Sequence, residues 1–121
     1  MKLSVLDLSP VTGEATQAEA VRQTVEVAKA AERLGYHRFW LAEHHNIAAL
    51  SSPNPEILIA ALTQATSTIR LGSGGVMLVN YSPLKVAETF MELEALAPGR
   101  IDLGLGRALG ADARTGGALR S

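Results

Sequence analysis

A chain of 121 residues, 47% hydrophobic and 19% charged with a net charge of −1, fits one small globular domain with a real core. Charge this close to neutral leaves no electrostatic footprint for nucleic acid or an anionic membrane, and the lack of cysteine excludes disulfides, thiolate catalysis and thiolate-held zinc. The N-terminal MKLSVLDLSP is too short, and too interrupted by Asp7 and Pro10, for a signal peptide, and no run approaches the ~18 apolar residues of a membrane span, so a cytoplasmic location is expected.

Residues 2–8, KLSVLDL, predict a first strand, followed by a loop. Thr16 and Glu19 then form a T-x-x-E capping box, in which each side chain satisfies a backbone N–H orphaned at a helix start. Val21, Thr24, Val25, Ala28, Ala31 and Leu34 recur at helical spacing, with Arg22, Glu26, Lys29 and Arg33 mainly on the other side. Gly35 suits the left-handed residue that ends a helix. HRFWLA (37–42) predicts the second strand. Asn54–Pro55 predicts the next helix start, with Asn as cap and Pro at the first helical position. IRLGSGGVM (69–77) predicts the third strand, and Ser82–Pro83 begins a third helix running to about Ala97, stopped by Pro98–Gly99. IDLGLG (101–106) predicts the fourth strand, and residues 108–121, without an apolar period, read as loop or tail.

Strands thus begin roughly 30–36 residues apart with a helix in each connection, the spacing of parallel β/α units. Either a doubly wound open sheet or part of a (β/α)8 barrel fits that order, with residues 1–107 as the folded unit. The second helix, PEILIAALTQA, is apolar on nearly every side, so more than one neighbour must cover it.

Parallel α/β sheets gather ligands at the carboxyl ends of their strands, and three features fall there. Glu43-His44-His45-Asn46 follows the second strand, Ser73-Gly74-Gly75 lies in the third, and Gly104–Arg107 closes the fourth. Imidazole suits proton transfer near neutral pH. Adjacent residues on extended chain point to opposite faces, which suits a histidine pair poorly to one metal, and no metal site is expected. Glycines let backbone approach a planar ligand, and an arginine suits a phosphate or carboxylate. Taken singly, the histidines also fit a loop cap and a solvated side chain, GSGG a bulge or tight turn, and Arg107 a surface ion pair. GLGRALG has the spacing G-x-G-x-x-x-G without a following amphipathic helix, which makes it a poor dinucleotide loop.

ERLGYHRFWLAEHHN and IRLGSGGVMLVNYSPLKVAETFMELEALAPGRIDLGLGR, in that order, resemble the N-terminal part of the bacterial luciferase-like, flavin-dependent monooxygenases, from about Lys2 to Arg107. The resemblance implies the first half of a (β/α)8 TIM barrel. It implies reduced flavin mononucleotide, often supplied by a separate flavin reductase, with dioxygen as co-substrate and one oxygen passed to a small organic molecule; a branch uses a deazaflavin for hydride transfer. His44 then corresponds to an acid–base or hydrogen-bonding group at the flavin's reactive face, and His45 to its cofactor-side neighbour. Ser73, Gly74 and Gly75 correspond to the wall beside the flavin ring, where members often carry a non-proline cis peptide, and Arg107 to an arginine near the rim. Gly106 stands where light-emitting members carry a reactive cysteine, which argues against light emission. The resemblance also implies a homodimer through helices at residues 55–65 and 84–97. A half barrel lacks the loops after strands seven and eight that commonly grip phosphate, so the chain alone is expected to be inactive. The other readings are a non-catalytic half barrel binding flavin or a partner chain, and an open-sheet nucleotide-binding domain if residues 104–110 start a helix.

Overall fold

The computed structural model describes residues 1–120, and its first helix starts where the capping box predicts. Strand β1 (Ser4–Asp7) leads to helix α1 (Gln17–Arg33), where the Thr16 side chain accepts from the Glu19 N–H and the Glu19 carboxylate accepts from the Thr16 N–H. Gly35 follows the helix at φ +82, the left-handed conformation in which a Cβ is strained. Then come β2 (Arg38–Leu41), α2 (Pro55–Ala65), β3 (Arg70–Met77), α3 (Pro83–Leu96), β4 (Ile101–Gly106) and α4 (Ala113–Leu119). Ser82 caps α3 through its side chain, accepting from the Lys85 N–H. Asn54 is a cap by position only: its main-chain oxygen accepts from the N–H groups of Ile57 and Leu58, and its side chain makes no cap bond.

The four strands are all parallel and lie in the order β1-β2-β3-β4. Helices α1, α2 and α3 cover one face of the sheet, packing Ala28, Ala31, Leu58, Ile59, Leu62, Val86, Phe90 and Leu93 against Phe39, Leu41, Leu71 and Val76. Phe39, Leu41, Ile59, Leu62 and Leu71 are fully buried, each contributing roughly 1.5–3 kcal/mol relative to exposure. Consecutive strands with helices on one face are the singly wound arrangement of a barrel wall; a doubly wound sheet reverses its strand order and is covered on both faces. The glycine segment 104–110 ends β4 and turns without starting a helix, which removes the nucleotide-binding alternative.

The opposite face carries Arg38, Trp40, Arg70, Gly72 and Asp102, related by the pleat and by the pairings Arg38↔Arg70, Trp40↔Gly72 and Gly72↔Asp102. Near the amino ends of the strands two guanidiniums share one carboxylate. Arg38 Nε lies 2.6 Å from Asp102 Oδ2, and Arg70 Nη2 lies 2.8 Å from Oδ1. Arg70's hydrogen bond, then Arg38's, holds the Asp102 carboxyl below its ordinary value against partial burial. The Arg38 guanidinium also sits 4.8 Å from the centre of the Trp40 ring.

Residues 113–119, expected as part of a loop or tail, form α4. Asp112 caps it by accepting from the Thr115 N–H at 2.8 Å, and Gly116 lies buried against Leu109. Its anchors are thus a cap and a tertiary contact, and an apolar repeat is not needed. No helix among the described residues is long and apolar enough to cross a membrane.

Candidate active site

Parity along β2 sorts the residues at its carboxyl end. Phe39 and Leu41 enter the helix-covered core, whereas Trp40 belongs to the opposite face. Continued along extended chain, that alternation puts Glu43 and His45 on the helix side and His44 on the side of Trp40. The contacts agree. His45 Nε2 lies 2.5 Å from Glu43 Oε2, so residues 43 and 45 meet on one side of the segment. The backbone is pinned from two directions, His44 N–H to Ser52 O at 2.9 Å and His45 N–H to Gly110 O at 2.8 Å. The Ser52 hydroxyl in turn donates to the Ala42 carbonyl.

Glu43 is the hub of the helix side. Its side chain has no exposed surface, and its two oxygens meet the Met77 N–H at 3.1 Å, the Tyr81 hydroxyl at 2.7 Å and the His45 ring. A carboxylate taken wholly out of water is tolerable only with such compensation. Burial, then the Glu43 bond, pushes the Tyr81 phenol well up, so the hydroxyl stays a neutral donor. Burial and the nearby Glu43 charge likewise raise Glu56, partly offset by its own backbone bond and by His45.

His44 is different. Its Nδ1 is buried and has no hydrogen-bond partner. A buried polar atom left unpaired costs about 1–3 kcal/mol and calls for a ligand, an ion or water.

On the same face as Trp40 lies a shallow hollow of about 290 Å³, lined by Leu6, Trp40, Ser73, Gly74, Gly75, Gly104 and Leu105. The peptide between Gly74 and Gly75 is cis. It falls in the bulge that interrupts β3–β4 pairing between Ser73 and Val76. A Cβ at Gly104 would run into the Ser73 carbonyl oxygen, and one at Gly75 would come 3.0 Å from the Leu105 backbone. Bare backbone is therefore built into this wall. The pairing Leu41↔Ser73 puts Gly74 and Gly75 just beyond the last β2 pair, level with the segment that leads to His44. The fourth strand ends close by, because Gly106 pairs with Met77, the residue whose N–H bonds Glu43.

The sequence-predicted residues separate by role. Gly74 and Gly75 line the hollow, whereas His44 does not line it and is related to that face by strand parity alone. Ser73 is fully buried, its hydroxyl held between the Gly104 N–H and carbonyl, so only its main chain borders the hollow. His45 is also buried, with Nε2 engaged by Glu43. Arg107 is exposed just past β4 and makes no ion pair or hydrogen bond among the described residues, which leaves its guanidinium available at the rim. No group of three possible metal ligands occurs among the described residues. The sequence motifs give no site role to Tyr81, which lies 38 residues from Glu43, or to Trp40, which forms the floor beneath the glycines.

A family model, luciferase-like monooxygenase, matches residues 1–119. The chain belongs to this family. Relatives of the luciferase-like chain include a luciferase-like monooxygenase of Escherichia coli K12, 53% identical over 97% of this chain and 35% of the relative. Another is an N-acetyl-S-alkylcysteine monooxygenase of Bacillus subtilis, 53% identical over 91% of this chain and 33% of the relative. Among solved structures, apo-MsnO8 superposes with a TM-score of 0.95 at 53% identity, over 98% of this chain and 36% of that one. The oxygenating constituent of 3,6-diketocamphane monooxygenase from Pseudomonas putida, in complex with FMN, shares the fold at a TM-score of 0.88 and 24% identity, over 98% of this chain and 32% of that one. The luciferase-like chain thus spans about a third of the length of the curated relatives it matches.

Proposed function

We propose that this chain forms the N-terminal part of a flavin-dependent monooxygenase acting on a small organic substrate with reduced flavin mononucleotide and dioxygen. The observation that carries this reading is the unpaired buried Nδ1 of His44, on the parity of Trp40 and level with a side-chain-free glycine wall. Both features fit a flat, polar-edged ring system: the glycines give it backbone to lie against, and the imidazole gives its edge a hydrogen-bonding partner. When bound, reduced flavin supplies the electrons that activate dioxygen.

The chain's own residues then have distinct tasks. His44 holds or delivers a proton at Nδ1, the catalytic role. Gly74, Gly75 and the Ser73 main chain form the ring-side wall, with Trp40 and Leu6 bordering it. Arg107 meets an anionic part of cofactor or substrate at the rim. His45 supports the cofactor side of the site through the backbone it shares with His44. A separate reductase supplies the reduced flavin.

The open sheet edges and the chain's share of its relatives' length support a second element: the 121 residues supply one wall and are inactive alone. Apolar side chains on the outward sides of α2 and α3, Ile57 at 63%, Leu84 at 69% and Met91 at 72% exposure, support a homodimer through those helices.

Titrating the chain with flavin mononucleotide and following flavin fluorescence tests the first element. Saturable quenching is expected, weakened by Gly74→Val, which fills the wall, and by His44→Ala. Quenching identical in all three proteins would defeat the assignment. Oxygen consumption above the rate of free reduced flavin, abolished by His44→Ala, would overturn the claim that the chain is inactive alone.

A further inference from the structure

We infer that Glu43 is a positioning residue that fixes His45 as its Nε2–H tautomer and so holds the 43–45 segment that carries His44. The proposal rests on the reading of His44 above for its functional consequence, but not for its geometry.

The assignment follows from donor and acceptor arithmetic at one buried carboxylate. A carboxylate only accepts hydrogen bonds. Three groups converge on Glu43: the Met77 N–H, which can only donate, the Tyr81 hydroxyl at 2.7 Å, and His45 Nε2 at 2.5 Å. With no exposed surface, Glu43 is cut off from the bulk water that could take the place of any of them. With Glu43 as the carboxylate, His45 Nε2 carries its proton and donates it to Oε2. Tyr81 does not compete for that proton, because its hydroxyl lies 3.5 Å from Nε2 and is spent on the same carboxylate. Nδ1 of His45, which bonds nothing among the described residues, is left as the basic nitrogen.

The consequence runs through the backbone. The ring of His45 is anchored by Glu43 and its N–H by Gly110, while the His44 N–H is anchored by Ser52. Between those fixed points the backbone that carries the His44 side chain is held on both sides. Glu43 itself is tied to the end of β3 through Met77, so it also couples the histidine segment to the strand that carries the glycine wall. Glu56 and Tyr81 both border a small cleft between α2 and α3, which brings that cleft within one hydrogen bond of the buried carboxylate.

The test is long-range proton–nitrogen NMR of the isotopically labelled chain near pH ~9, above the ordinary imidazole range, with His37→Gln and His44→Gln used to assign the three rings. The wild type is expected to show His45 almost wholly as the Nε2–H form. In Glu43→Gln the amide N–H donates to Nε2 and reverses the population in favour of Nδ1–H. Tyr81→Phe, which removes a different donor, leaves the wild-type pattern. Should Glu43→Gln fail to fold, Glu43→Asp replaces it: withdrawing the carboxylate by one methylene is expected to give a mixture of both forms. A wild-type His45 protonated on Nδ1, or substitutions at Glu43 that leave the Nε2–H population unchanged, would overturn the assignment. The experiment uses neither flavin nor oxygen, so its failure is separable from failure of the monooxygenase reading.

Discussion

The hydroxyl of Ser73 bonds Gly104 twice, donating to its carbonyl at 2.9 Å and accepting from its N–H at 3.1 Å. It thereby stands in for backbone pairing where the bulge between Ser73 and Val76 interrupts the β3–β4 ladder. Ser73→Ala leaves both Gly104 groups without their partner in a partly buried setting. A loss of about 1–3 kcal/mol is expected, read as a lower urea midpoint at unchanged slope. An unchanged midpoint would mean that the hydroxyl is dispensable.

Trp40 lies against Gly72 so closely that a Cβ there would sit 2.5 and 2.7 Å from two ring carbons. The Asp102 carbonyl, at 2.9 Å, blocks escape on the other side. Gly72→Ala is expected to cost roughly 1–3 kcal/mol through overpacking. Trp40→Leu in the same chain recovers part of that loss, giving a favourable coupling in a double-mutant cycle. Strictly additive effects would refute the contact.

Glu32, at the end of α1, accepts from three consecutive N–H groups, Ser67 at 2.9 Å, Thr68 at 2.7 Å and Ile69 at 3.0 Å. Partial burial pushes its carboxyl up, but the N–H groups of Thr68, Ile69 and Ser67 together pull it to about 2 from 4.5. A carboxyl whose folded pKa is depressed adds stability above its unfolded pKa and loses it as the pH falls toward the folded one. The stability gap between wild type and Glu32→Gln should therefore be flat above pH 5 and close between about 4.5 and 2. Salt narrows it, since the group is partly solvated. A gap independent of pH through that window would contradict the arrangement.

Met91 and Leu84 lie on the outward side of α3 and Ile57 on that of α2. If these helices form a subunit interface, Met91→Lys lowers the sedimentation coefficient from dimer to monomer at unchanged helix content, because a desolvated lysine has no partner there. Wild type that sediments as a monomer at high concentration would remove the basis for the interface.

Local signals in the sequence were enough for much of the fold. Thr16 with Glu19, Ser82 with Pro83, and Gly35 each act within a few residues, and each element boundary they mark appears in the structure. Parity was legible too: the statement that His44 and His45 point opposite ways needs only extended backbone. Its consequence, that one of them joins the helix side, needed Glu43, Tyr81 and Met77, which chain folding alone brings together. Helix α4 was missed for the same reason, since Gly116 is held by Leu109 and not by any repeat of its own. Asn54 shows the opposite error, a residue of the right type whose main chain takes over the capping.

The strand order β1-β2-β3-β4 has a consequence for how the molecule comes into being. Each strand pairs with the one that immediately precedes it in the chain, across a connection that carries one helix. Every new unit finds its template already synthesised, which keeps loop-closure costs small at each addition and lets order spread vectorially from the first turn of the sheet.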